Sequence, residues 1–400
     1  MRISTSESYA LGINLILDKQ SQLSHTQQQL STGRRIVNPA DDPAGAAQAL
    51  DLQAAIDTNT QFSRNGDAAT ARLNLEQSVL GQAGNVLQRV RTLVLQANND
   101  SQTSESRASI ASELSQSLKQ LVSLGNTRDA SGDYIFAGSR TTTQPFSLTP
   151  GGAVAYAGDN AQRFVQIDAS RTVATNDPGN AVFMKIPDGN GSFTTKPAPG
   201  NAGAGIIDPG SVTDTTAYTR DTYQIQFVSA NTYNVVDTTT GTTVLANQGY
   251  QDGAGIAFAG IQTSISGTPA AGDSFTIAPS QQQSLFQTVQ NLIDTLNTPT
   301  GSAASQARLH NNINQGLVSL DQGLGWVVNI QSSVGSRLDS VKAQQQLQQD
   351  WGVQLKSSQS SIQDLDYAKA ISRMNLQLVG LQAAQKTYLQ VQGLSLFKYL

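Results

Sequence analysis

The chain has 400 residues, enough for two or three domains, and a formal net charge of −4 with no cysteine. Charged side chains make up only 14% of it, against about 25% in an ordinary globular protein, and Gln, Ser, Thr, Asn and Ala fill the deficit. These figures exclude disulfides, thiolate zinc sites and cysteine nucleophiles, and they offer no basic field for nucleic acid and no polybasic patch for a membrane.

The opening residues, Met1 to Ala10, lack the apolar run of a cleaved secretion signal, and no later stretch approaches the roughly 18 apolar residues of a membrane span. A soluble chain with no cleaved signal and no membrane insertion is expected. Ile16, Leu23 and Leu30 then sit seven apart in a Gln- and Ser-rich background, a seam too thin to hold an isolated helix of this length. The loop that follows is punctuation. Gly33 suits the C-terminal cap of the preceding helix, Asn38-Pro39 keeps the chain extended, and Asp42-Pro43 supplies an N-cap acceptor and a first-turn proline.

From Ala44 the apolar set Ala47, Leu50, Ala54, Phe62, Ala69, Leu73, Leu80, Leu87, Val90 and Val94 recurs at helical steps. Ile110, Leu114, Leu118, Leu121 and Val122 repeat the pattern between Arg107 and Leu124. The middle, from Gln144 to about Pro279, changes period. Tyr223 to Phe227 alternates apolar with polar, Arg163 to Ile167 does so more loosely, and Thr232 to Val236 is short and β-rich. Pro187 to Gly191 and Pro199 to Gly203 read as turns between strands. Helical spacing resumes with Leu285, Val289, Leu292, Ile293 and Leu296, and then with Ile313 through Val341, running on across Gln344–Gln349. No proline follows Pro299, so this second arm is free to be long helix.

The last segment carries two apolar stripes: Ile371, Met374, Leu378, Leu381 and Tyr388 on one side, and Ile362, Leu365, Ala368, Ser372, Leu376, Val379 and Ala383 on the other. A helix apolar on two sides needs neighbours on both. The expected fold is mainly α with a β-rich insert: long helices from the two arms form a coiled-coil-like bundle, and a small β domain sits between them. The expected divisions are an N-terminal assembly helix over 1–40, a first bundle half over 41–143 ending in a β-hairpin, and the insert over 144–280. The second bundle half follows over 281–352, and a C-terminal assembly helix over 353–400.

Chemistry finds little purchase here. His25 and His310 are the only histidines and lie 285 positions apart, with no Ser or Asp pattern to build a nucleophilic site around either. Asp188-Gly-Asn-Gly191 lacks the distal Glu and alternating acids of a calcium loop and reads as a hairpin turn. No catalytic, cofactor or metal site is expected. Two function classes stay open: a self-assembling axial subunit, or an adhesin that binds through the insert with aromatics such as Tyr218, Tyr223 and Tyr233. Alternation favours a core role for those tyrosines.

Three blocks carry a family resemblance. Leu30 to Pro43 is similar to the N-terminal signature of the flagellin superfamily. Ala130 to Ser139 resembles the β-hairpin entry at the end of its first helical half, and Leu381 to Phe397 resembles its C-terminal helix and tail. The opening Met-Arg-Ile-Ser-Thr, the ending Gly393 to Leu400 and the prolines at 39 and 43 resemble the hook–filament junction branch rather than filament flagellins. Leu87 to Gln96 is similar to a flagellin segment read by an innate immune receptor, although Thr92 departs from the usual Glu; it is taken chiefly as a helix-packing face.

The resemblance implies an extracellular structural protein of the bacterial flagellum, without catalytic activity or cofactor. It would be exported through the flagellar type III channel without cleavage, with an export chaperone holding the C-terminal helix. It would form a homo-oligomeric ring between the first hook–filament junction protein and flagellin, with a flagellin filament subunit as the alternative. The assembly contacts would be Ile16, Leu23, Leu30, Ile371, Met374, Leu378, Leu381 and Tyr388. The loop carrying Arg34, Arg35, Asn38, Asp41 and Asp42 would lie where axial neighbours meet, its arginines bridging to acids on the next subunit.

Overall fold

The structure, a computed structural model, describes residues 5–393, and the chain divides into two compact units. One comprises Met1–Asn65 with Ala343–Leu400, and the other Gly66–Lys342. Helix α1 spans Thr5–Thr32, α2 Pro43–Ala97 and α3 Ser104–Gly125. Strands β1 (Phe146–Leu148) and β2 (Val154–Tyr156) form a hairpin, as do β3 (Phe164–Gln166) and β4 (Thr172–Ala174). A five-residue π-helix, Asn180–Met184, precedes β5 (Ile186–Pro187), β6 (Phe193–Pro197), β7 (Ile206–Ile207) and β8 (Ser211–Val212). Then come β9 (Tyr223–Ser229), β10 (Thr232–Asp237), β11 (Thr242–Gly249), β12 (Gly255–Phe258), β13 (Ile261–Ser266), β14 (Ser274–Pro279) and β15 (Gln282–Gln283). The chain closes with α4 (Leu285–Leu296), α5 (Ala303–Gln363) and α6 (Tyr367–Gly393).

In residues 66–342, α2 and α5 run antiparallel, as the Arg91–Asp321 ion pair at 2.7 Å and the contact of His310 with Asn98 require. Leu73, Leu80, Leu87 and Val94 of α2 meet α3, α4 and α5 in one core with Leu114, Leu121, Val289, Ile313, Leu320 and Val334, all essentially closed to solvent. Each such side chain contributes about 1.5–3 kcal/mol by leaving water. Caps fix the shorter helices: Ser106 donates its amide to the Thr103 hydroxyl to start α3, and Gln287 to that of Ser284 to start α4. Phe136, Phe146, Phe183 and Phe286 form an aromatic plug with ring centroids 5.1–5.6 Å apart. Leu87, Val90, Leu93 and Val94 are buried while Arg89 pairs with Glu113 at 2.5 Å, so the 87–96 segment is a packing face with a charged back.

Of the insert expected over 144–280, residues 144–186 join the helical core through Phe146, Ile167, Val173 and Phe183, and residues 193–279 have a core of their own. Strands β11-β10-β9-β14-β6 form an antiparallel sheet, and β12-β13-β7 a smaller one in which β13 also pairs β8. Tyr223, Ile225 and Phe227 point inward at every second residue to meet Val235, Phe275 and Ile277. Tyr223 and Tyr233 are buried and Tyr218 packs against the same cluster, as alternation predicts. Buried Asn311 of α5 holds the insert by accepting the Ile207 amide at 2.8 Å and donating to the Gly205 carbonyl at 3.0 Å.

Two local expectations need correction. Ala130–Ser139 is no hairpin ladder: a single bridge, Arg128 to Tyr134, closes a compact turn that delivers Ile135, Phe136 and Ala137 to the core. Packing of those side chains wins over strand pairing. Asp188–Gly191 is a turn, but β5 before it pairs β15 and β6 after it pairs β14, so it joins two sheets. The Asp188 carboxylate is satisfied by the Gln281 amide at 2.7 Å and the Ser280 hydroxyl at 3.2 Å. Helix α5 runs unbroken through the division expected at 352.

Candidate assembly surface

The first compact unit contains the two ends of the chain. Helices α1 and α6 pack side by side, and the fit is set by a notch: a side chain on Gly12 would come within 2.7 Å of the Tyr388 ring. Tyr9 meets the same ring edge-on at 6.4 Å. Tyr9, Gly12, Ile16, Leu23 and Leu30 share one face of α1 by their three-, four- and seven-residue steps. Leu23 is buried and Ile16 and Leu30 half-buried. On α6 the half-buried residues Met374, Leu378 and Leu381 share the face of Tyr388. The stripe expected to meet either the other end of the chain or identical copies is here occupied by the other end; Ile371, at the start of α6, is the exception and is 47% exposed. The physical reason is proximity: the nearest apolar face available to each end is the other end.

What remains uncovered lies outside that seam. Leu376 and Val379 are 72% and 64% exposed, and Leu389 and Val391 lie open beyond them. Leu11, Ile13, Leu15 and Leu17 are similarly open on α1. On a helix, Leu11 and Leu15 flank the seam on one side and Ile13 and Leu17 on the other, so with Leu376 and Val379 the pair shows large apolar side chains around its outside, exposure of the kind that marks an interaction site. Periodicity alone cannot say which stripe faces inward, but Gly12, four residues before Ile16, is the signal that places the seam.

The joint between the ends and the long helices is tied internally. Gly33 takes the left-handed conformation (φ 70°) and its carbonyl accepts the Leu365 amide at 2.9 Å, while the Arg35 amide donates to the Gln363 carbonyl at 2.7 Å. Arg34 bridges Asp364 through its backbone and leaves its side chain exposed. Arg35 does not reach outward as expected. Its guanidinium donates to the Ile362 carbonyl at 2.9 and 3.1 Å and to Asp42 at 3.0 Å, because those acceptors lie within its own chain.

Asp42 caps α2 through the Gly45 amide at 2.9 Å; that bond, then Arg35, holds its carboxyl below the usual range. Asp41 accepts the amides of Asn38 at 2.8 Å and Val37 at 2.9 Å, and its carboxyl is lowered first by the Asn38 bond, with Val37 and His25 adding to it. His25 sits 3.0 Å from Asp41 and His310 2.9 Å from Asp100, each paired locally. Among the described residues no group of three or more His, Asp or Glu is arranged to hold a metal, and no helix is long and apolar enough to cross a membrane.

Comparison with known proteins gives this surface its context. Residues 3–141 match the model of the bacterial flagellin N-terminal helical region, and 199–279 that of the D2-like domain of flagellar hook-associated protein 1. The chain is 27% identical to flagellar hook-associated protein 3 of Salmonella typhimurium over 399 residues, covering 100% of this chain and 99% of that one. The crystal structure of the flagellar junction protein FlgL from Legionella pneumophila is 35% identical, with a TM-score of 0.72 over 80% of this chain and 100% of that one. The FlgL structure from Xanthomonas campestris is 33% identical, with a TM-score of 0.69 over 77% and 99%. With likeness of this order across the full length of both arms and the insert, the chain belongs to the flagellar hook-associated protein 3 (FlgL) family, the structural proteins of the flagellar junction.

Proposed function

We propose that this chain forms a ring of identical copies at the hook–filament junction, held between the first junction protein and flagellin. The observation that carries the reading is the large apolar side chains left exposed around the α1–α6 pair, Leu11, Ile13, Leu15 and Leu17 on one helix and Leu376, Val379, Leu389 and Val391 on the other. The seam between these helices is filled within the chain, so these open side chains are what is left for identical neighbours. On this reading the protein works outside the cell, without catalytic activity, and leaves through the flagellar type III channel with its N-terminus uncleaved. A chaperone covers the exposed face of α6 during export, since it is the surface that would otherwise aggregate.

Deleting the gene and inspecting the medium tests the reading. Intact hooks with flagellin released unpolymerised support a junction subunit. Intact junctions with no filament protein made at all would identify a filament subunit, and normal filaments would overturn both.

A further inference from the structure

Glu76 lies on the core face of α2, three residues after Leu73 and four before Leu80, and only 1% of it is exposed. Its Oε1 accepts the Asp177 amide at 3.0 Å, whereas its Oε2 is buried with no donor. That amide bond brings the Asp177 side chain close to Glu76, where both its charge and a side-chain hydrogen bond act to raise the Glu76 carboxyl. Asp177 is itself nearly closed to solvent. Its Oδ2 is held by the Arg337 guanidinium of α5 and its Oδ1 by the Gln162 side-chain amide at 2.9 Å. Arg337 also donates to the Ala174 carbonyl at 3.2 Å.

The remaining nearby charges are already matched. Arg163, ahead of β3, pairs with Asp133 at 3.7 Å, and Arg72, one turn before Glu76 on α2, pairs with Asp129 at 3.4 Å. Two carboxyl groups thus share one guanidinium in a place with little water. Two adjacent buried carboxylates resist ionising together, and an orphan oxygen facing a second carboxylate is satisfied only if a proton lies between them.

We propose that a single proton bridges Glu76 and Asp177 in the folded chain, latching the segment that carries β3 and β4 onto helices α2 and α5. The proton turns Oε2 of Glu76 from an unpaired acceptor into a donor. It leaves Asp177 as the one anion facing Arg337, so the cluster is neutral and every strong group has a partner. Burial above all, and then the Asp177 charge, hold the Glu76 carboxyl well above its ordinary value of 4.5, with Arg337 acting against them. The sign follows: between 4.5 and the raised folded value the folded chain binds more protons than the unfolded one. The latch is therefore at full strength below 4.5 and is lost as pH rises through the folded value.

The sequence makes the test clean, because the chain contains four glutamates: Glu7, Glu76, Glu105 and Glu113. The full chain labelled with carbon-13 at the glutamate carboxyl gives four side-chain signals to follow by NMR as pH is raised. The Glu76 carbon should stay at its protonated position after the Glu105 carbon, whose carboxyl is lowered by hydrogen bonds at the start of α3, has finished titrating, and shift only at higher pH. In Asp177→Asn, with Arg337 freed to pair with Glu76, that late titration should move to lower pH. In Glu76→Gln, unfolding by urea should lose the decline in stability that the natural chain shows as pH rises above 4.5. If the Glu76 carbon titrates together with the other three, the proposal is wrong, and this reading on the natural chain decides even if a variant fails to fold. Parallel pH dependence of the natural chain and a folded Glu76→Gln would overturn it as well.

Discussion

The helices of residues 66–342 and the pair formed by α1 and α6 draw on the same polar, Gln- and Ser-rich composition, yet they finish their packing differently. In the former, Leu73, Leu80, Leu87, Ile313 and Leu320 are closed to solvent by helices of the same unit. In the latter, one apolar side of each helix is covered and the other is left open, with Leu376 at 72% exposure. A helix can thus be finished by its own chain or only half-finished by it, and the unfinished half is where assembly has to occur.

That contrast can be broken or sharpened by substitution. The largest effect on the free chain is expected from Phe286→Ala in the aromatic plug, which should destabilise residues 66–342 by about 3–5 kcal/mol in urea unfolding. Leu378→Asp places a charge in the α1–α6 seam and should cost about 2 kcal/mol, read as faster amide exchange in both helices with residues 66–342 unchanged. Removing the α4 cap with Ser284→Ala should lower stability by about 1 kcal/mol in the same urea experiment. The smallest effect concerns acid. Because the Asp41 and Asp42 carboxyls are lowered in the folded joint, their contribution is complete above the ordinary 3.8 and is lost as pH falls below it. Amide exchange at Val37, Asn38 and Gly45 should therefore quicken only below that value, and Asp41→Asn should abolish the transition at Val37 and Asn38.

Much of this was legible in the sequence, for identifiable reasons. Periodicity over long proline-free arms gives α2, α3, α4 and α5, and the Asp42-Pro43 signal fixes where α2 begins. Alternation finds β9 and β10, whose side chains face one core. The short strands are not legible, because two or three residues carry no period; β5 and β7 exist only through partners far along the chain. Nor can spacing separate an intrachain seam from an intersubunit one, since both need the same stripe. Only the Gly12 notch opposite Tyr388 breaks that tie, and it appears when both helices are seen together. Arg35 was missed for a related reason: a basic residue in a polar loop looks free until the Ile362 carbonyl, 327 positions away, comes beside it. Glu76 did leave a mark, a lone carboxylate on the Leu73–Leu80 stripe, where an apolar residue belongs.

The most direct test of the account is to place Leu376→Asp with Val379→Asp on the open face of α6 and to follow the same variant as a free chain and in motile cells. The account predicts that the free chain unfolds within about 0.5 kcal/mol of the natural one, while the cells export it, build no filaments and release flagellin into the medium. Normal filaments from that variant would contradict the claim that this face joins the subunits.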